Sequence, residues 1–443
     1  MIERASSNDL MQLASDVGPV PMHIAGIVVL AEEVGADPTA AREVIAQRLG
    51  EVPRLRQVLV ASPIGCGRAH WVGAPGFDPH DHVAVMAAPA PGDDATLLDT
   101  ALELAARPLP RSRPLWSATL VTGLAGRGAA LVVVLHHVLA DGLGGLAVLM
   151  RLVDEGADPR VGTQLRRSRS QLPSRGALAA DAWTTRLRTL RSAPKQLRAS
   201  RAALAELGAS RAGLAPATSL NRPIGARRTG SVVRADLADV AAVAHHHGGT
   251  VNDVVLTAVT GALGSLLARR GESTSQLVVS VPVSGRTSSN QSDLGNQVGV
   301  IPVALPTTGD PVTRLRSVIA TTRSRKTSTP GASATLLQPA FRGLATLGVL
   351  GWFINRQRLV NAFVTNVRGP TTPITFMGVR VREVIPVSGI QGNVPVAFTV
   401  LSYAGVLGVT VIADPDAVPD HGALTAMLHR ELDVLAADPS GGP

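Results

Sequence analysis

The sequence predicts an α/β protein of mixed layers, and three observations carry that prediction. Short β-branched runs alternate with stretches of helical periodicity along both halves of the chain. At 443 residues with 45% hydrophobic content, there is length and apolar material for two ordinary cores. An arginine-rich, proline-flanked stretch separates the halves. The expected division is an N-terminal domain over residues 1–160, a basic helical connector over 161–220 and a C-terminal domain over 221–443.

In the N-terminal half, HIAGIVVL from His23 and ALVVVLHH from Ala130 read as strands, while PTAAREVIAQRL and DATLLDTALELA read as helices. The apolar run ending at Leu135 leads through His136 and His137 to the Gly-rich loop Asp141-Gly142-Leu143-Gly144-Gly145, which feeds a further helix. Residues 160–228 hold 15 Arg or Lys against only Asp181 and Glu206, a balance of +13 that leaves −4 for the rest of a chain whose net charge is +9. Pro173, Pro194 and Pro216 punctuate this stretch, so it reads as a solvated helical connector or as a surface for anionic lipid headgroups or CoA phosphates. Nucleic acid is not an expected partner, because Trp183 is the only aromatic residue there and no binding motif accompanies it.

In the C-terminal half, Val254, Val255, Ala258, Val259, Ala262, Leu263, Leu266 and Leu267 follow helical spacing, with Asn252 or Asp253 as a fitting N-cap. QLVVSVPVS reads as a strand. Val384–Ala413 carries no charge, yet Pro386, Pro395 and several glycines break it, and its second half predicts two strands around Ala404-Gly405. That is a buried hairpin and not a spanning helix. No repeat of 20 to 50 residues is visible. The single cysteine, Cys66, excludes a disulfide framework, and MIERASSNDL lacks a signal-peptide pattern, so a cytoplasmic location is expected.

The most informative chemistry is the HHxxxDG arrangement of His136, His137, Asp141 and Gly142. Side chains alternate across a strand, so the two histidines should face opposite sides and only one should meet substrate. An uncharged imidazole can take a proton from a hydroxyl near neutral pH. A hydrogen-bonded core pair would look the same in sequence, and a metal site is disfavoured because adjacent strand residues diverge. No GxSxG elbow is present, neither Lys195 nor Lys326 completes a P-loop, and GLGG lacks the dinucleotide spacing. The run His245-His246-His247 precedes a Gly pair and reads as a solvated helix end.

HHxxxDG is also the signature of the CoA-dependent acyltransferase superfamily. The chain resembles the bacterial wax ester synthase/acyl-CoA:diacylglycerol acyltransferase family in Pro21-Met22-His23-Ile24-Ala25-Gly26, Pro114-Leu115-Trp116, the histidine motif, Asn252-Asp253-Val254-Val255-Leu256 and Thr365-Asn366-Val367-Arg368-Gly369-Pro370, in the family's order. The resemblance implies two chloramphenicol-acetyltransferase-like domains with an active-site channel between them. It implies acyl-CoA as donor, a diacylglycerol or long-chain alcohol as acceptor, and no cofactor or metal. His137 would be the base, while His136, Asp141 and Gly142 would support the loop, with Asp141 pairing with an arginine. Asn252 and Asp253 would serve the oxyanion or the channel wall, and Pro114, Leu115, Trp116 and Asn366 would line the channel or act as core and turn residues. Peripheral association with a membrane or lipid droplet is a further expectation. Arg368 stands where many members have proline, and aromatic residues are few. A condensation-type enzyme with a specialised acceptor and a catalytically silent lipid-surface protein are the alternatives.

Overall fold

The computed structural model describes residues 2–16, 18–35, 37–126, 128–154, 173–187, 214–284, 298–327, 344 and 349–437. The first half lays down β1 (Glu3–Arg4), α1 (Ser7–Ser15), β2 (His23–Leu30), α2 (Pro38–Gly50), β3 (Gln57–Val60), β4 (His70–Gly73), β5 (Val83–Ala87), α3 (Asp94–Ala106), β6 (Trp116–Leu124), β7 (Gly128–His136) and α4 (Gly142–Met150). Of the basic connector, the described part includes a helix, α5 (175–187), held to the N-terminal segment by Arg4, whose guanidinium donates to Asp181 and to the Leu178 carbonyl at 2.8 Å each. Most of the predicted connector, Pro194 included, lies outside the described residues.

The second half contains β8 (Thr229–Asp236), α6 (Leu237–His246), α7 (Val251–Arg269), β9 (Gln276–Ser284), β10 (Val298–Pro306), α8 (Pro311–Thr327), α9 (Leu350–Ile354), β11 (Ala362–Arg368), β12 (Thr375–Phe376), β13 (Val379–Val387), β14 (Val396–Tyr403), β15 (Val406–Ala413) and α10 (His421–Ala436). Two six-stranded sheets result, in the orders β12-β13-β2-β7-β6-β5 and β10-β9-β11-β14-β15-β8, beside a small sheet β1-β4-β3. The mixed α/β class expected from the sequence is the observed one.

Helix α7 is apolar and long enough to cross a membrane by length and composition, yet 72% of its apolar window is buried inside the fold. Its eight periodic apolar positions are all at most 1% exposed and pack with α6, α8, α10 and the second sheet. Thr250 starts it in a capping box with Asp253. Asn252 and Asp253, expected as caps, therefore fall within the first turn, because Thr250 takes the cap position. The predicted hairpin is β14 and β15, turning at Ala404 (φ 46°) and Gly405 (φ 89°), the paired positive values that a two-residue hairpin turn demands.

The topology departs from a division by chain position. Strands β12 and β13 belong to the C-terminal half, yet β13 pairs antiparallel with β2, placing Pro386 opposite Gly26 and Val387 opposite Ala25. The 221–443 segment is thus not one self-contained domain. Without β13, the outer edge of β2 would present unpaired N–H and C=O groups beside a buried face.

Asp154, at the end of the first half, fastens this crossover. Its carboxylate accepts from Thr375 Oγ1 (2.9 Å), from the Met377 and Gly378 amides (3.0 and 2.9 Å), and from Arg48 (2.8 Å). These hydrogen bonds hold its pKa down to about 2, against burial, which pushes the other way. Because the folded-state pKa is depressed, the stabilisation is present above the unfolded value near 4 and fades as the pH falls through about 2. Asp154→Ala is expected to cost about 2 kcal/mol at pH 7, with the gap to wild type shrinking at pH 3; equal denaturant midpoints at pH 7 would show that the clamp contributes nothing.

Candidate active site

Strand β7 is buried at every position and runs Gly-Ala-Ala-Leu-Val-Val-Val-Leu-His, so it fixes its C-terminal end rigidly. Both sequence motifs that flank the histidines hold that end through backbone atoms. The His136 amide donates to the Leu115 carbonyl at 2.9 Å, and the His137 amide donates to the Met22 carbonyl at 2.8 Å. Trp116 anchors the first of these contacts from the core. It is 1% exposed, its indole N–H donates to the Leu55 carbonyl at 2.8 Å, and its ring stacks on His82 at 4.5 Å.

The two histidines divide as alternation requires. His136 turns into a buried polar cluster, where its Nδ1 accepts from the Val138 amide at 3.0 Å. That leaves the proton on Nε2, 3.2 Å from Asp16 Oδ2. Asp16 also accepts from the Met22 amide at 2.9 Å and from Arg111 at 3.0 Å. The hydrogen bond from His136, above all, holds this carboxyl well below the usual carboxylate range against the opposing effect of burial. His23, paired with His136 across β2 and β7, lies edge-on to it at 5.6 Å and donates from Nδ1 to the Ala105 carbonyl at 2.8 Å. Burial pushes the His23 pKa down, so it adds no charge near neutral pH. Asp16 and the internal role of His23 escape sequence reasoning. The only trace is an acidic residue six positions before Met22 in a Gly-Pro loop, a pattern too common to select.

His137 points the other way, into a cavity of about 670 Å³, a volume that includes its opening to solvent. Leu135 and Val133 share its face of β7, with Ile24 and Gly26 from β2 alongside. Helix α4 supplies Gly142, Gly145, Leu146 and Leu149; β13 extends the same sheet face with Val384 and Pro386, Ser388 lying just beyond it, and the other sheet contributes Thr365, Val367, Thr399 and Leu401 from β11 and β14. Both halves of the chain therefore build one mainly apolar chamber around one imidazole.

Asp141 is the N-cap of α4, 2% exposed, accepting from the Gly144 amide at 2.8 Å. Gly142 follows because space requires it. A Cβ there would lie 3.1 Å from Val367 Cγ2 and 3.6 Å from Thr365 Cγ2, so its absence lets the helix start approach β11.

The other expected site residues lie outside this lining. Asn252 and Asn366 do meet, with Asn366 Nδ2 donating to Asn252 Oδ1 at 3.3 Å, but Asn366 is on the face of β11 opposite Thr365 and Val367. Asp253 is corrected to a structural residue. One oxygen accepts from the Thr250 amide and hydroxyl at 2.8 and 2.7 Å, the other from Thr322 at 2.7 Å, and a carboxylate whose oxygens are so engaged offers no donor to an oxyanion. Pro114, Leu115 and Trp116 lie beside the end of β7, at the start of β6, and are not in the chamber lining. His245, His246 and His247 end α6, away from the chamber lining.

Two sheets, the first built with a strand pair from the C-terminal half, with HHxxxDG at the end of a central strand and its second histidine in the chamber between them, define a class of acyl-transferring enzymes. Residues 6–255 match the wax ester synthase/diacylglycerol acyltransferase catalytic domain, and residues 294–436 match the WS/DGAT C-terminal domain. The chain belongs to this wax ester synthase/diacylglycerol acyltransferase family and is an acyltransferase. It is 33% identical over 424 residues to the probable diacylglycerol O-acyltransferase tgs1 of Mycobacterium tuberculosis, covering 93% of this chain and 91% of that one. Among solved structures, the wax ester synthase/diacylglycerol acyltransferase of Marinobacter aquaeolei VT8 superposes with a TM-score of 0.68 at 23% identity, covering 98% of each chain. The first condensation domain of the calcium-dependent antibiotic synthetase gives 0.64 at 19%, covering 99% and 98%, which shows the shared fold.

The Asp16–His136 pair yields a test. Asp16→Ala removes the acceptor that keeps the proton on Nε2, and the alternative tautomer would set a ring N–H against the Val138 amide. Turnover is expected to fall roughly 10- to 100-fold by misplacement of the neighbouring loop, with Asp16→Asn, which can keep an acceptor toward Nε2 only by turning its NH2 on the Met22 amide, falling between Asp16→Ala and wild type. Wild-type turnover in a folded Asp16→Ala protein would show that His136 is held without it.

Proposed function

We propose that the protein moves a fatty acyl group from acyl-CoA directly to the hydroxyl of a diacylglycerol or a long-chain alcohol, with His137 as general base. The observation that carries this reading is the placement of His137 as the one imidazole lining an otherwise mainly apolar chamber built by both halves of the fold. The base takes the hydroxyl proton as the oxygen attacks the thioester carbonyl carbon. The tetrahedral species then collapses, the C–S bond breaks, and the departing sulfur recovers the proton from the imidazolium. The N-terminal end of α4 reaches the chamber at Gly142, so the positive end of its dipole favours negative charge developing there.

Transfer without an acyl-enzyme fits the side chains present. A nucleophile needs a base within hydrogen-bond reach. Ser388 lines the chamber, but its partner is the Thr399 hydroxyl at 2.6 Å and not an imidazole. Cys66 is buried near α5, its sulfur 3.8 Å from the Arg175 carbonyl, away from the chamber lining. The same reading needs no cofactor. It puts the enzyme in the cytoplasm, working peripherally at a membrane or lipid-droplet surface where both lipids reside, with the basic connector favouring anionic headgroups.

CoA release by purified protein from palmitoyl-CoA, with hexadecanol, dioleoylglycerol or no acceptor, tests the reading. Acceptor-dependent release is expected, and His137→Ala should lower it about 10² to 10⁴-fold while leaving the unfolding transition in place. Retention of most activity by His137→Ala would remove His137 from its role.

A further inference from the structure

Three hydroxyls interrupt the apolar lining of the chamber, and all lie on the wall contributed by the C-terminal half: Thr365, Thr399 and Ser388. They form a row. Thr365 and Thr399 are register partners on the parallel strands β11 and β14, and the Thr399 hydroxyl donates to Ser388 Oγ at 2.6 Å. With Thr399 spending its proton on Ser388, the Ser388 proton is left to face the chamber. Among the described residues, neither that proton nor the Thr365 hydroxyl has a side-chain or backbone partner. Thr365 and Ser388 are only half-buried, so these two donors are open to whatever fills the chamber, and once an apolar substrate shuts out water a group that pairs with them is favoured over one that does not.

Position narrows what that group is. Ser388 follows Val387, which pairs with Ala25, and His137 follows His136, which pairs with His23. One strand, β2, lies between them, so their backbones are separated by roughly two strand spacings, about 10 Å. Ser388 is thus set to one side of the imidazole, two strands away along the chamber wall. It is placed for an acceptor-only polar group a few bonds from the reacting hydroxyl. A diacylglycerol carries such groups, its ester carbonyls, next to its free hydroxyl; a long-chain alcohol has only methylenes there.

We propose that the Ser388–Thr399 hydroxyl pair, with Thr365 beside it, is a specificity-determining site that hydrogen-bonds an ester carbonyl of a glycerolipid acceptor and so favours diacylglycerols over simple alcohols. This rests on the acyl-transfer reading above and names the acceptor class for that same chamber. A site built to donate to a carbonyl discriminates against analogues lacking one, because its hydroxyls, cut off from water once substrate fills the chamber, are then left unpaired.

The test compares dioleoylglycerol with its diether analogue, which keeps the hydroxyl and both chains but has no ester carbonyls, and with hexadecanol, all with palmitoyl-CoA. Wild-type protein is expected to use the diester about 5- to 10-fold better than the diether in kcat/KM, the effect of one hydrogen bond. Ser388→Ala should lose most of that preference, and Ser388→Thr, which keeps the hydroxyl, should restore it. Equal use of diester and diether by the wild type, a preference that survives Ser388→Ala, or an equal loss with all three acceptors would overturn the proposal. Absence of CoA release from wild-type protein with any acceptor would instead overturn the acyl-transfer reading, and the acceptor assignment would fall with it.

Discussion

The pairing of β13 with β2 is the constraint on which the rest of the structure depends. It satisfies the edge of a central strand, and in doing so it carries the C-terminal half across to the face that bears His137. Val384, Pro386 and Ser388 enter the chamber only because of this crossover. Its start and its middle are tied by charge. Asp154 grips the β12–β13 turn, where Met377 and Gly378 take φ of 50° and 78°, while Arg234 of β8 donates to Glu383 of β13 at 2.8 Å and to Asp94 of α3 at 2.9 Å. Arg234 and Asp94 of the second group are 39% and 57% exposed, so its contribution is small beside that of the strand pairing itself.

Within this frame, adjacent histidines do opposite work. His136 is surrounded by fixed partners that determine its tautomer, and it shapes the turn that follows β7. His137, one residue on, shares that rigid backbone but faces the chamber. The polar cluster of Asp16, Arg111, His23 and His136 lies on the far face of the sheet, so its charges are separated from the chamber by the strands. A side chain facing the chamber can thereby be held by ionic and hydrogen-bonded parts without exposing them to whatever enters it.

Much of this was legible in the sequence, for local reasons. The strand before the histidines, the 3.6-residue periodicity of α7 and the Ala404-Gly405 turn follow from spacing and backbone preference, and the structure has all three. Opposite faces for His136 and His137 follow from strand alternation alone. The crossover was not legible, because period-two alternation in residues 379–387 reveals a strand and not its partner. Asp253 misled for a related reason. Its place in a recurrent motif suggested chemistry, whereas a buried carboxylate three residues after a threonine is sufficiently explained by capping. Asp16 carries only a trace too common to select and Ser388 none, since their roles exist only once distant segments are brought together.

The central claim is that the chamber joining the two halves is where the acyl chain lies during transfer. The most direct measurement is photolabelling with a palmitoyl-CoA analogue bearing a diazirine along the acyl chain, followed by peptide mapping. Label on segments from both halves, within residues 24–26 or 142–149 and within 384–401, protected by excess palmitoyl-CoA, is the expected result. Protectable label confined to one half, or falling wholly outside these segments, would contradict the account.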